Sequence, residues 1–186
     1  MTSKKKIAIA GATGFIGRWF IDTYKNQYDI VALSRKKTSF NEMMEWRMVD
    51  LFSISSSVEA LKGVDYALYL VHSMQPSTRL NQSNFEDTDL LLADNFSRAA
   101  AICNLEHIVY VGGILPKDNL NISKHLQSRY EVEQVLGSRK TPLTTIRAGI
   151  IIGPGGSSFK IIEKLVENLP IMACPKWTKS KNQPVD

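Results

Sequence analysis

Residues 6 to 17 read Lys-Ile-Ala-Ile-Ala-Gly-Ala-Thr-Gly-Phe-Ile-Gly. The apolar run from Ile7 to Ala10 has the length and composition of a buried strand, and three glycines follow at spacings of three. Arg18-Trp19-Phe20-Ile21 then continues in helical rhythm. Strand, glycine turn and helix in immediate succession constrain the chain more than any other feature it has. Each glycine has a physical task. Gly11 permits the tight turn, Gly14 lets the backbone approach a pyrophosphate with no Cβ in the way, and Gly17 lets the helix lie close on the strand. The helix turns its unpaired N–H groups and positive dipole end toward the phosphates. The pattern predicts a dinucleotide site; a glycine-rich turn without a ligand is the alternative.

Strand and helix signals alternate through nearly the whole chain. Strands are expected at residues 6–10, 29–34, 46–49, 65–71, 107–111 and 143–152. Helices are expected at 15–24, 54–61, 84–104, 123–136 and 157–168. Phe15, Ile16, Trp19, Phe20 and Tyr24 share one face of the first helix, and Phe85, Leu92, Phe96, Ala99 and Cys103 form a stripe on the third. The strand at 65–71 shows no polar alternation, as expected for a strand covered on both sides. This order predicts an α/β doubly wound parallel sheet, a Rossmann fold, over residues 1–170. Residues 171–186 lose periodicity and read as a linker or as the start of a C-terminal substrate region that is truncated or minimal here.

At 186 residues, 44% hydrophobic and 22% charged, the composition is that of one ordinary globular domain. The net charge of +5 gathers partly in Lys4-Lys5-Lys6 and in Lys176, Lys179 and Lys181. No element carries a basic stripe, so no nucleic-acid partner is expected. No apolar stretch approaches a bilayer span and the N-terminal run breaks at Gly11, so we expect no membrane partner and a cytoplasmic location. Cys103 and Cys174 have no C-x-x-C spacing, and no metal-ligand cluster is apparent.

In a doubly wound sheet, ligands sit beyond the carboxyl ends of the strands, so the strand ends carry the chemistry. An acid after the second strand would bind a ribose 2′-hydroxyl. Here the place holds Ser34-Arg35-Lys36-Lys37, three cations and no carboxylate. A 2′-phosphate is attracted to such a loop, which favours NADP(H) over NAD(H) as the cofactor. Asp50, closing the third strand, can accept from an adenine amino group or serve as a turn residue.

Gly11-Ala12-Thr13-Gly14-Phe15-Ile16-Gly17 and Val49-Asp50-Leu51 resemble the short-chain dehydrogenase/reductase superfamily, in its extended or atypical branch. Within it, residues 69–74, 109–113, 123–132 and 146–154 are similar to NmrA-like NAD(P)-binding proteins, often described as epimerases. The resemblance implies that Gly11, Thr13, Phe15 and Ile16 surround the pyrophosphate. It places Arg35 at the adenosine phosphate, Asp50 and Leu51 at the adenine, and Leu70, Val71 and His72 beside the nicotinamide ribose. It also implies the helices at 84–104 and 122–137 as the surface through which relatives pair as homodimers.

The superfamily's working group is Asn, Ser, Tyr and Lys, with Tyr-x-x-x-Lys on one helical face. The chain departs from it. Gly113 stands at the Ser place, His125 at the Tyr place, Arg129 at the Lys place and Asp89 at the Asn place. Tyr130 and Lys124 have the wrong order and spacing. The catalytic candidates are therefore His125, Arg129 and His72, each with a structural alternative: a solvated His–Arg pair on a helix, and a turn histidine bonded to backbone. The leading expectation is an NADPH-preferring oxidoreductase acting on a small molecule that the residues do not identify. A non-catalytic NAD(P)H sensor and a nucleotide-sugar epimerase or dehydratase are the alternatives.

Overall fold

The computed structural model describes residues 4–36, 44–72, 85–116, 122–168 and 183–186. The order of elements is β1 (Lys6–Ala10), α1 (Phe15–Tyr24), β2 (Asp29–Ser34), β3 (Glu45–Met48), α2 (Ile54–Leu61), β4 (Tyr66–Tyr69), α3 (Phe85–Ile102), β5 (His107–Gly113), α4 (Lys124–Leu136), β6 (Leu143–Ala148) and α5 (Ser157–Asn168). All six strands are parallel, in the order β3-β2-β1-β4-β5-β6. The chain builds outward from β1 through β2 to β3, then returns to the other side of β1 with β4. That reversal opens a crevice at the carboxyl ends of β1 and β4.

The period-two alternation of strand side chains divides the core in two. Ala8, Ala10, Val31, Leu33, Ala67, Tyr69, Ile108 and Tyr110 face one side and meet α2, α3 and α4 through Leu61, Leu92, Phe96, Val132 and Leu136. Ile7, Ile9, Ile30, Ala32 and Leu68 face the other and meet α1 through Ile21. Phe96 is fully buried and stacks at a tilt on Tyr69 with ring centroids 4.9 Å apart. Truncating it to alanine would cost about 3–5 kcal/mol.

Local signals explain the ends of several elements. Ser53 and Ser123 cap α2 and α4, their hydroxyls accepting from the N–H of Ser56 and Leu126. α2 stops at Lys62, and Gly63 follows in the left-handed region at φ 68°, as expected of a glycine just past a helix. The fourth and sixth strands are shorter than the apolar runs suggest. β6 ends at Ala148, opposite Gly113, because its partner β5 ends there; farther on, Ile151 makes one parallel bridge with Val185.

The inward face of α1 also differs from the expected stripe. Gly17 and Ile21 are the buried positions, and Trp19 is 50% exposed. Two residues along a helix rotate by about 200°, so a buried Gly17 sends Trp19 outward. Its indole Nε1–H reaches the carbonyl of Pro154 at 3.5 Å.

Candidate functional site

At the carboxyl end of β1 the glycine turn is built as its spacing requires. Gly11 has φ 95°, and a Cβ there would stand 3.0 Å from the Leu70 Cβ at the end of β4. Leu70 is tied back by its N–H, which donates to the carbonyl of Ala10 at 2.9 Å. Gly17 is under the strictest constraint: a Cβ would lie 2.5 Å from the Gly11 carbonyl oxygen and 2.8 Å from the Ala12 Cα. The helix can therefore approach the turn only if residue 17 has no side chain.

Gly14 is the N-cap of α1, and among the described residues no side-chain cap bond closes this helix start. α2 and α4 differ in that serine hydroxyls occupy the equivalent place. An uncapped, glycine-led helix start is where an anion can accept from backbone N–H groups. Thr13 and Gly14 are exposed there, with Phe15 and Ile16 half-buried. The Phe15 ring lies close to Gly153, where a Cβ would stand 2.7 Å from its Cζ.

Beside this turn, β2 ends in Ser34, and its hydroxyl accepts from the N–H of Lys36 at 3.3 Å. Arg35 and Lys36 are exposed; Lys37 lies outside the described residues. Asp50 follows β3 as a turn residue. Its carboxylate accepts from the Phe52 N–H at 3.2 Å, its carbonyl accepts from Ser53, and its own N–H donates to the Ser56 hydroxyl. Leu51 is buried in the core. The donors of the turn, the exposed Arg35 and Lys36 and the Asp50 turn thus lie along one sheet edge, an arrangement that fits a nicotinamide dinucleotide.

The other half of the edge is differently made. Leu70 and Val71 leave β4 half-buried, and His72 follows, exposed, with Nδ1 3.5 Å from the Leu70 carbonyl. α4 brings His125 and Arg129 to the same place. The Arg129 Nε–H donates to His125 Nε2 at 3.1 Å. Arg129 and Asp89 act electrostatically on both His72 and His125, and His72 acts on His125. Loss of hydration and then the Arg129 charge hold both imidazoles below the usual histidine value.

Gly113, at the end of β5, lies under α4. A Cβ on it would stand 2.5 Å from Leu126 Cδ2, so the space a serine side chain would need is taken by leucine. Tyr110 sits at the middle of β5, where burial pushes its phenol up to about 12 and its hydroxyl donates to the Arg129 carbonyl at 3.3 Å. Tyr69 is fully buried, and burial raises its phenol well above the ordinary range.

Sequence reasoning missed the parts played by Leu126 and Tyr110. Each is an ordinary core-type residue in its own element, and the helix–strand packing alone brings it to the site. An open groove of about 370 Å³ runs along the outside of α1, lined by Phe15, Arg18, Trp19, Asp22, Pro154, Gly155 and Lys160. Among the described residues no group of His, Cys, Asp and Glu could hold a metal ion, and no helix is long and apolar enough to cross a membrane. His107 begins β5 and bonds Thr144 Oγ1 at 2.8 Å.

The chain is similar to known proteins in both sequence and shape. It is 32% identical over 148 residues to the auxiliary protein GraX of Staphylococcus aureus, a match that takes in 76% of this chain and 43% of that one. It superposes on the enzyme WbmG of Bordetella bronchiseptica, solved with NAD, with a TM-score of 0.72 at 13% identity, covering 89% of this chain and 60% of that one. With the triphenylmethane reductase of a Citrobacter species, solved with NADP(H), the TM-score is 0.65 at 20% identity, covering 87% and 55%. The chain thus spans about half the length of these relatives. The model of the NAD dependent epimerase/dehydratase family matches residues 7–169, which includes every strand and helix position from the glycine turn to α5. The chain belongs to the NAD-dependent epimerase/dehydratase family.

Proposed function

We propose that this chain is a cytoplasmic NADP(H)-binding domain that prefers NADPH to NADH. It would seat the pyrophosphate on the glycine turn and the 2′-phosphate on the loop after β2. The observation that carries the reading is the combination at one edge: an α1 start led by Gly14 with no side-chain cap, beside the exposed Arg35 and Lys36 that follow β2, with no carboxylate in residues 34–37. In this reading Gly11, Thr13, Gly14, Phe15, Ile16 and Gly17 form the phosphate turn. Ser34, Arg35 and Lys36 meet the adenosine phosphate, Asp50 and Leu51 border the adenine, and Leu70, Val71 and His72 border the nicotinamide ribose. When bound, the dinucleotide supplies hydride chemistry; the residues of this chain bind and orient it.

What the bound dinucleotide is used for has two readings. The first is reduction of a small molecule. The second is a binding protein that reports the dinucleotide to a partner, and a specific observation favours it. The place of the catalytic serine is filled by Leu126 over Gly113, and His125, at the tyrosine place, is engaged by Arg129. The same observation weighs against an epimerase, which needs a tyrosine base. The name of the GraX protein, an auxiliary protein, is in keeping with the second reading.

Mixing the purified chain with NADPH and a panel of carbonyl, quinone and flavin acceptors tests the choice. Binding with no consumption of NADPH supports the second reading; steady consumption with any acceptor restores the first. Absence of NADPH binding contradicts both.

A further inference from the structure

The Arg129–His125 pair makes a definite chemical statement. A guanidinium has N–H donors and no acceptor, so the bond at 3.1 Å requires a lone pair on His125 Nε2. The imidazole is then neutral, and its one proton sits on Nδ1. An imidazolium would carry a proton on both nitrogens and would have to break this bond. The surroundings agree. Arg129 on α4 and His72 after β4 both disfavour a positive His125, and Asp89 on α3 is the opposing charge. The neighbouring groups are held in a similar way: the Tyr110 hydroxyl donates a hydrogen bond to the Arg129 carbonyl, and His72 Nδ1 lies toward the Leu70 carbonyl.

We propose that Arg129 fixes His125 as a neutral hydrogen-bond donor with its proton on Nδ1, and that this N–H binds an uncharged hydroxyl oxygen of the bound dinucleotide instead of exchanging a proton with a substrate. His125 is then a ligand-orienting residue and Arg129 a positioning residue. This rests on the NADPH-binding reading for its ligand, and on the geometry alone for the state of the imidazole. It accounts for an arginine where a lysine would stand. A lysine beside a tyrosine lowers the phenol's pKa and so readies a proton for transfer, whereas an arginine bonded to Nε2 removes the imidazole from acid–base work near neutral pH.

The experiment is a ¹⁵N-histidine NMR titration of the whole chain, first without ligand and then with NADPH, in the wild type and in Arg129→Met, His125→Gln and His125→Leu. The wild-type His125 signals should be those of the Nδ1–H tautomer, with a midpoint below that of an unstructured histidine. Arg129→Met should mix the tautomers and raise the midpoint. Adding NADPH should shift the Nδ1–H proton downfield. His125→Leu should weaken NADPH by about three- to tenfold, the loss of one neutral hydrogen bond. His125→Gln, which keeps a neutral donor, should recover most of that. An Nε2–H tautomer or an ordinary midpoint in the free wild type overturns the locked state. Unchanged NADPH affinity in His125→Leu, or NADPH binding without the downfield shift, overturns the ligand role. If the wild type binds no NADPH, the cofactor reading and the ligand role fail together, and the ligand-free titration still decides the state of His125.

Discussion

The two halves of the carboxyl edge have been treated differently. Around β1, β2 and β3 the edge has what a nicotinamide dinucleotide needs: a glycine-led helix start without a side-chain cap, a turn whose contacts leave no room for a Cβ at Gly17, and the exposed cations Arg35 and Lys36. Around β4, β5 and α4 the helix start is capped by Ser123, a leucine fills the space over Gly113, and the titratable groups are engaged by one another or by backbone carbonyls. In the proposed reading the first is a binding half, and the second is a proton-transfer place closed by packing. The difference teaches that the Rossmann frame ties binding and chemistry to separate strand ends, so that one can change without unfolding the other.

Changes on the first half should have the largest effects. Gly17→Val places a branched side chain against the Gly11 carbonyl and Ala12, both of them backbone. Because backbone cannot move aside cheaply, we expect a loss of about 3 kcal/mol of stability, a fall in melting temperature of roughly 6–12 °C for a chain of this size. Calorimetric unfolding checks it; an unchanged melting temperature would mean that α1 does not pack on the turn as described.

Arg35→Asp comes next. Removing charge-assisted phosphate bonds and adding a like charge should weaken NADPH by about 1–3 kcal/mol and NADH far less. Equal losses for both dinucleotides would remove Arg35 from the 2′-phosphate and blur the contrast between the two halves.

Gly113→Ser probes the second half. Its Cβ meets the far end of a flexible leucine, so Leu126 can turn away at a cost of about 1 kcal/mol. The double change Gly113→Ser with Leu126→Ala should relieve the clash but exchange it for lost packing. Neither variant should acquire steady reductase turnover, because no Tyr-x-x-x-Lys accompanies the serine; turnover in either would show that the closed half needs only a hydroxyl to reopen.

The smallest expected effect is on pH dependence. His72 and His125 have folded-state pKa values below the ordinary 6.5. Below that pH the unfolded chain takes up protons before the folded one, so stability should decline as the pH falls through about 6.5 toward the folded-state values. Above it both states are neutral and the two residues contribute no slope. Chemical denaturation in a pH series measures this, with Arg129→Met flattening the decline because it relieves His125 of a neighbouring cation.

Much of the binding half could be read from residues 6–17 and 34–36 because its determinants are local. A turn needs glycine at set spacings, and a cationic loop announces itself by composition. All six strands and five helices were legible for the same reason, as apolar runs and helical periods bounded by glycine and serine. What escaped was non-local. Trp19 shares a helical stripe with Phe20, yet the need to bury Gly17 turns it outward. Leu126 reads as a core leucine, and its seat over Gly113 depends on how α4 lies on β5. His125 and Arg129 were visible as an i, i+4 pair, but the direction of their bond, and hence the state of the imidazole, was not.

The account rests above all on the binding half, and a calorimetric titration of the purified chain with NADPH and then with NADH tests it most directly. The account predicts a single saturable site for NADPH with markedly weaker binding of NADH. Failure of the chain to bind either dinucleotide, or tighter binding of NADH than of NADPH, would contradict it.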